Sequence, residues 1–204
     1  MTTFGYQLRR VEGPTLEPVT LAEIKRQARI DDDLTLEDDD LAFWIQAARE
    51  HAEDFLRITL LETTWEAKFA DFPRDSSQRL VLPMAHPLIA VESVQYFDHT
   101  GTERLLDGSD FQTVRDVPPY LLPLYAHTWP ATNMAADAVT VRYRSGFVGV
   151  GSPGDASGVP AIIRQGIRML AAAWYENRET MTDKQKNEIA YGFERALQAY
   201  RVLP

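Results

Sequence analysis

Residues 31–40 hold the densest run of groups that could do chemistry. Asp31, Asp32, Asp33, Glu37, Asp38, Asp39 and Asp40 put seven carboxylates into ten positions. Hard oxygen ligands at that density suit a divalent cation, and a metal-dependent or small-molecule enzyme is the catalytic reading of this region. An EF-hand loop, however, needs alternating oxygen ligands, a glycine at position six and a glutamate at position twelve. Counted from Asp31, those positions hold Leu36 and Ala42, so the motif fails. The competing reading is helix capping next to a solvated acidic face.

Other chemistry is sparse. His51, His86, His99 and His127 never stand three or four residues apart, and no H-E-x-x-H occurs. Residues 149–154 (GVGSPG) match G-x-G-x-x-G. Pro153 interrupts them, the next helix starts only after Pro160, and no βαβ unit surrounds them, so they read as a linker. Glu176 and Glu179 beside Arg178 read as a salt-bridged helix end rather than a glycosidase pair. Neither a hydrolase elbow nor a P-loop occurs. With no cysteine, disulfides, thiolate nucleophiles, Fe–S clusters and cysteine-ligated zinc are excluded. No catalytic, cofactor-binding or metal residue is assigned.

Among 204 residues, 21 are basic and 30 acidic, for a net charge of -9. Such a chain is ill suited to gripping nucleic acid through its phosphates, though it could surround nucleic acid without holding it. Arg142 and Arg144 share the exposed face of one strand, a small patch rather than a groove. No apolar run is long enough to span a bilayer. The opening MTTFGYQLRR lacks a secretory pattern.

The elements that carry these residues follow from periodicity. Residues 1–19, with Gly5, Gly13, Pro14 and Pro18, read as an extended arm. Thr20 to Glu23 (TLAE) has the form of a capping box and predicts a helix over about 21–29. Thr35 is a second start signal. Leu41, Trp44, Ile45, Ala48, Ala52, Phe55 and Leu56 then form one apolar stripe at helical spacing, with Phe43 off the stripe and exposed. From residue 60 the pattern alternates: strands are expected around 65–69, 80–82, 89–96, 102–106, 111–115 and 139–143. The parity change between Val91 and Val94 predicts a bulge near Glu92 and Ser93. Residues 98–101 read as a turn. Residues 116–137, with four prolines, read as a long loop. After Pro160 a helix carries Ile163, Ile167, Leu170, Ala171 and Trp174 on one stripe and Ile162, Met169 and Ala173 on a flank, so burial on more than one side is expected. A last amphipathic segment presents Ile189, Phe193, Leu197 and Tyr200 on one face. Gly192 weakens its start, so it is expected to begin near Phe193.

Helices, then hairpin-connected strands, then helices give an α+β class with an antiparallel sheet. The expected layout is an arm at 1–19, a discontinuous helical domain at 20–59 and 160–204 whose two parts pack together, an inserted β-domain at 60–148, and a linker at 149–159.

Several segments together resemble the tailed-phage head–tail connector proteins, also called adaptor or head-completion proteins, in the subgroup with a β-domain set into the helical connector fold. The carriers are residues 20–25 (TLAEIK), the acidic step into Leu41, Ala47 to Arg49 with Glu53, and Leu60 to Trp65. They continue with Pro87-Leu88, Ser93-Val94, Tyr96, Asp98 and Gly101, then Val139 to Val141 with Gly146. Pro160 with Ile163 to Gln165, the block Trp174 to Glu179, and the end from Tyr191 to Arg201 complete the set. The resemblance covers nearly the whole chain from residue 20, in the family's order.

That resemblance implies a ring of twelve subunits docked beneath the portal at the capsid vertex, in a phage or a gene-transfer particle. The ring would extend the DNA channel, let DNA pass without sequence-specific binding, and offer a surface to a tail-side stopper or terminator protein. It implies portal contact through Phe193, Leu197, Tyr200, Arg201, Val202 and Leu203. The other reading of that segment is that it folds back on its own core. A closed ring needs two different complementary faces per subunit, which Phe43 and Tyr191 could help supply. A neck or tail-completion protein one step further from the capsid is the neighbouring alternative.

Overall fold

The computed structural model describes residues 5–133, 135–149, 156–177 and 192–203. The chain divides into two compact units: a β-unit of residues 1–13, 62–146 and 203–204, and a helical unit of residues 14–61 and 147–202.

In the helical unit, α1 spans Leu21–Ala28 and opens with the expected capping box. The Glu23 N–H donates to Thr20 Oγ1, and the Thr20 N–H donates to Glu23 Oε2 at 2.8 Å. Arg29 closes α1 in the left-handed region, φ 57°. The second helix, α2, spans Asp38–Leu56. Glu37, not Thr35, is its cap residue, and no side chain caps it. Asp38, Asp39 and Asp40 instead line the first turn, where the helix dipole favours negative charge. Leu41, Ile45, Ala48, Ala52 and Leu56 are buried as the stripe requires.

The third helix, α3, spans Ala161–Glu176 and buries Ile163, Gly166, Ile167, Leu170, Ala171 and Ala172. Gly166 marks a close approach. A Cβ there would meet Leu197 at 3.3 Å and Phe193 at 3.4 Å, because the short helix at 192–197 crosses that point. The expected second buried side of α3 is not formed: Ile162 is 42% and Met169 54% exposed. The unit's core joins Val19, Ile24 and Ile58 to the stripes of α2 and α3 and to Phe193, Leu197 and Val202.

The β-unit holds eight strands among the described residues: β1 Tyr6–Glu12, β2 Thr63–Phe69, β3 Leu80–Val81, β4 Leu88–Phe97, β5 Glu103–Leu105, β6 Phe111–Val114, β7 Tyr120–Pro123 and β8 Val139–Ser145. Five form a sheet in the order β1-β2-β8-β4-β5, and three form a second in the order β3-β7-β6. Every pairing is antiparallel, so the molecule is α+β. β8 lies centrally and alternates as expected, with Val139, Val141 and Tyr143 buried and Thr140, Arg142 and Arg144 half-buried on the other face. The register of β4 against β8 slips between Val91 and Ser93, where the parity change predicts a bulge.

Two segments differ from expectation. Residues 6–12 of the arm form an edge strand on β2. Within the supposed long loop, β7 is the middle strand of the second sheet, with Leu121 wholly buried. Its prolines stand before the strand and at its last position, where the missing N–H costs little of the ladder. The β-unit core stacks Phe72 on Trp129 at 4.7 Å and 5°. Tyr143 donates its hydroxyl to the Pro83 carbonyl, and burial pushes that phenol well above its ordinary value. At the β4–β5 turn, Asp98 accepts from Thr100 and Thr102 N–H groups and from Arg104, which hold its carboxyl well below the usual range. Gly101, at φ 80°, supplies the left-handed residue of that turn.

Candidate assembly surface

The C-terminal segment divides its residues between core and surface. Phe193, Leu197 and Val202 are buried in the helical unit, and the Val202 N–H donates to the Leu56 carbonyl at 2.9 Å. These three residues fold back on the chain's own core. Tyr200 does not follow them. The chain tightens into a 3-10 turn at Gln198–Tyr200, which rotates Tyr200 off the buried face and leaves it 41% exposed. Arg201 is exposed with its guanidinium 5.0 Å from the Phe55 ring centre, and Leu203 is exposed. Tyr191 lies outside the described residues.

Between α1 and α2, the acidic connection is built around a buried lysine. Lys25 is 4% exposed. Its Nζ donates to the Leu34 carbonyl at 2.8 Å and the Asp32 carbonyl at 3.3 Å, and meets Asp38 Oδ1 at 2.6 Å. The far end of the loop is tied to α3, where the Tyr175 hydroxyl donates to Glu37. Held this way, the loop turns Leu34 and Leu36 outward, Leu36 at 91% exposure. Phe43, one to two turns into α2, is exposed and meets Trp44 edge to face. Sequence reasoning placed Phe43 on the surface but missed Leu34 and Leu36. Their only signal is that they interrupt an acidic run without fitting any helical or strand period.

A second buried charge network braces α2. Arg49 donates to Glu17 and Glu53, both at 2.7 Å, and Glu53 also accepts from the Leu60 N–H at 2.8 Å. Burial pulls the Arg49 guanidinium down, but its bond to Glu17 and the charge of Glu53 outweigh that and hold it above its ordinary value. On α1, the Thr20 N–H, aided by Arg168 and Arg164, keeps the Glu23 carboxyl below its usual range against the effect of burial.

The other candidates carry no catalytic geometry. Among the described residues, no group of three or more His, Asp or Glu could hold a metal ion. His51 is exposed, with its ring 5.9 Å from Trp174 and 5.5 Å from Phe193, packed rather than poised. Burial lowers the His86 pKa. Glu176 is exposed, while Arg178, Glu179 and residues 150–155 of the glycine-rich run lie outside the described residues. Arg142 and Arg144 are no phosphate patch: Arg142 pairs with Glu92 and Glu12, and Arg144 with Glu62 and Glu92.

Similar folds occur in assembled particles. A chain in a structure of the neck of an empty GTA particle, computed with C6 symmetry, is 20% identical with a TM-score of 0.74 over 97% of this chain and 96% of that one. The neck of a native GTA particle, computed with C12 symmetry, gives 20% and 0.73 over the same shares. The virion of a native gene transfer agent particle gives 21% and 0.71, again over 97% and 96%. No curated protein matches the chain in sequence. The model of one family, described as phage gp6-like head-tail connector protein, matches residues 18–104 and 132–201. Those two stretches take in most of both units, and the chain belongs to that family.

Proposed function

We propose that this protein is a structural subunit of a ring-shaped head–tail connector in the neck of a phage or gene-transfer particle. It docks on the portal, extends the DNA channel and gives tail-side proteins their attachment surface. The observation that carries this reading is the family match across both units. Similar folds in particle necks solved with sixfold and twelvefold symmetry support a ring, of twelve copies when assembled. The net charge of -9 supports a channel that DNA traverses without being held, because like charge disfavours phosphate contact.

Portal contact falls to Tyr200 and Arg201, with Leu203 beyond them. Phe193, Leu197 and Val202 serve the contact by fixing the segment's base in the core. Deleting the whole segment would open that core, so a point variant is the cleaner test. Purified protein is mixed with the portal of the same particle and imaged beside each component alone. Wild type is expected to add a ring of density at the portal's narrow end. Tyr200→Asp is expected to weaken docking at least about tenfold, the range of a modest interface anchor, with an unchanged melting temperature. A bare portal with wild-type protein at high concentration would sink the docking claim.

A further inference from the structure

The geometry points to a specific contact between neighbouring copies: the acidic loop 31–37 of one subunit, with Phe43, seats on the outer stripe of α3 of the next. The inference rests on the ring reading above and names the two faces that reading requires. Both lie in the helical unit.

The first face is a preformed knob. A long, exposed loop would ordinarily lose conformational entropy on docking. Here that entropy is already lost. Lys25 holds two carbonyls and the Asp38 carboxylate from below, and Tyr175 holds Glu37. A lysine buried to 4% exposure is a costly way to fix a loop whose outward residues are leucines, unless those leucines have a use. Leu34, Leu36 and Phe43 stand among seven carboxylates, and residues 31–40 contain no basic group. No ion pair among the described residues reaches Asp31, Asp32, Asp33, Asp39 or Asp40.

The second face matches the first in both respects. Ile162 and Met169 are two turns apart on α3 and half exposed, on a helix that otherwise buries its large apolar residues. Beside them, on the flank toward α1, stand Arg164 and Arg168, and 31% of the Arg168 side chain stays exposed. In all sixteen residues of α3 the sole acid is Glu176, at its last position. One face is therefore apolar and acidic, the other apolar and basic. Two unlike, complementary patches on one subunit give a head-to-tail contact, the kind that closes a ring. Charge of opposite sign also sets the register and speeds the encounter.

Cysteine-free sequence makes the test clean. Leu36→Cys and Met169→Cys are introduced singly and together, assembled on the portal and mildly oxidised. The double variant is expected to give a ladder of linked subunits. A mixture of the two single variants is expected to give one linked dimer, which excludes a bond within one chain. Leu105→Cys with Met169→Cys serves as the control and should give no ladder. Leu36→Asp, at a position 91% exposed, should melt like wild type yet assemble roughly tenfold less well. If a ring forms on the portal and no Leu36–Met169 bond forms, this contact is overturned and the connector reading stands. If wild-type protein leaves the portal bare, both fall.

Discussion

The two units handle charge in opposite ways. In the β-unit, ion pairs lie on one wet face of the five-stranded sheet: Arg9 with Glu66 at 3.1 Å, Arg142 with Glu92 at 2.9 Å, Arg144 with Glu92 at 3.1 Å. In the helical unit, two basic residues are inside. Side-chain exposure is 6% at Lys25, and 3% at both Arg49 and Glu53. Exposed pairs decorate a fold that hydrophobic burial already specifies. Buried pairs become part of the specification, because a buried charge that loses its partner cannot be left in place. The sharpest way to break the comparison is Glu53→Ala. That change leaves the Arg49 cation with Glu17 and Glu50 only and strips the Leu60 N–H of an acceptor. The expected loss is about 3–5 kcal/mol by urea denaturation, the usual range for orphaning a buried charge. A loss below about 1 kcal/mol would mean that water reaches Arg49 and that the two units do not differ in kind.

A smaller effect is expected at Lys25→Met. The stem stays apolar and fills similar space, but two carbonyls lose their donor and Asp38 loses its cation. Both carbonyls lie near the surface and can turn toward water, so the cost should be about 1–3 kcal/mol. The more telling readout is local. Amide hydrogen exchange at residues 32–36 should quicken well beyond the change at Ile45 or Leu56, which sit in the α2 core. Uniform quickening across the unit would instead make Lys25 a global brace rather than a loop clamp.

Periodicity carried much of this molecule into view. The α2 stripe, the capping box at Thr20, the β4 bulge and the alternation of β8 are local patterns, and each is read from neighbours a few residues away. What stayed hidden depends on distant partners. β1 needs β2, more than fifty residues on, before Tyr6–Glu12 can be told from an arm. β7 needs β3 and β6 on either side before Leu121 outweighs the surrounding prolines. At the candidate surface the hidden part is Lys25. In sequence it is an ordinary lysine in the last turn of α1, and only the path of residues 32–38 over its Nζ makes it structural. Leu36 is hidden by the same token, since an exposed leucine announces nothing until its loop is seen to be fixed. The terminal segment was legible as amphipathic, but the step into a 3-10 turn that parts Tyr200 from Phe193 and Leu197 was not.

The least costly change sharpens the comparison from the other side. Glu92→Gln removes the carboxylate shared by Arg142 and Arg144 on the β-sheet face, with no loss of volume. Three carboxylates meet these two arginines, so each keeps a partner: Arg142 still meets Glu12 at 3.7 Å and Arg144 still meets Glu62. Both arginine side chains are 39% exposed, so water already screens the pairs. The glutamine amide can also still accept one of the guanidinium bonds. The expected cost is therefore at most about 1 kcal/mol, and nearer zero than one. Salt separates this from a buried pair. In 0.5 M sodium chloride the Debye length shrinks to about 4 Å, so whatever small difference exists between wild type and variant should vanish. The deficit of Glu53→Ala, measured in the same buffer, should persist, because ions do not reach a side chain with 3% exposure. Should Glu92→Gln cost as much as Glu53→Ala and resist salt, the sheet face would have to be covered, and the β-unit rather than the helical unit would be where buried charge does its structural work.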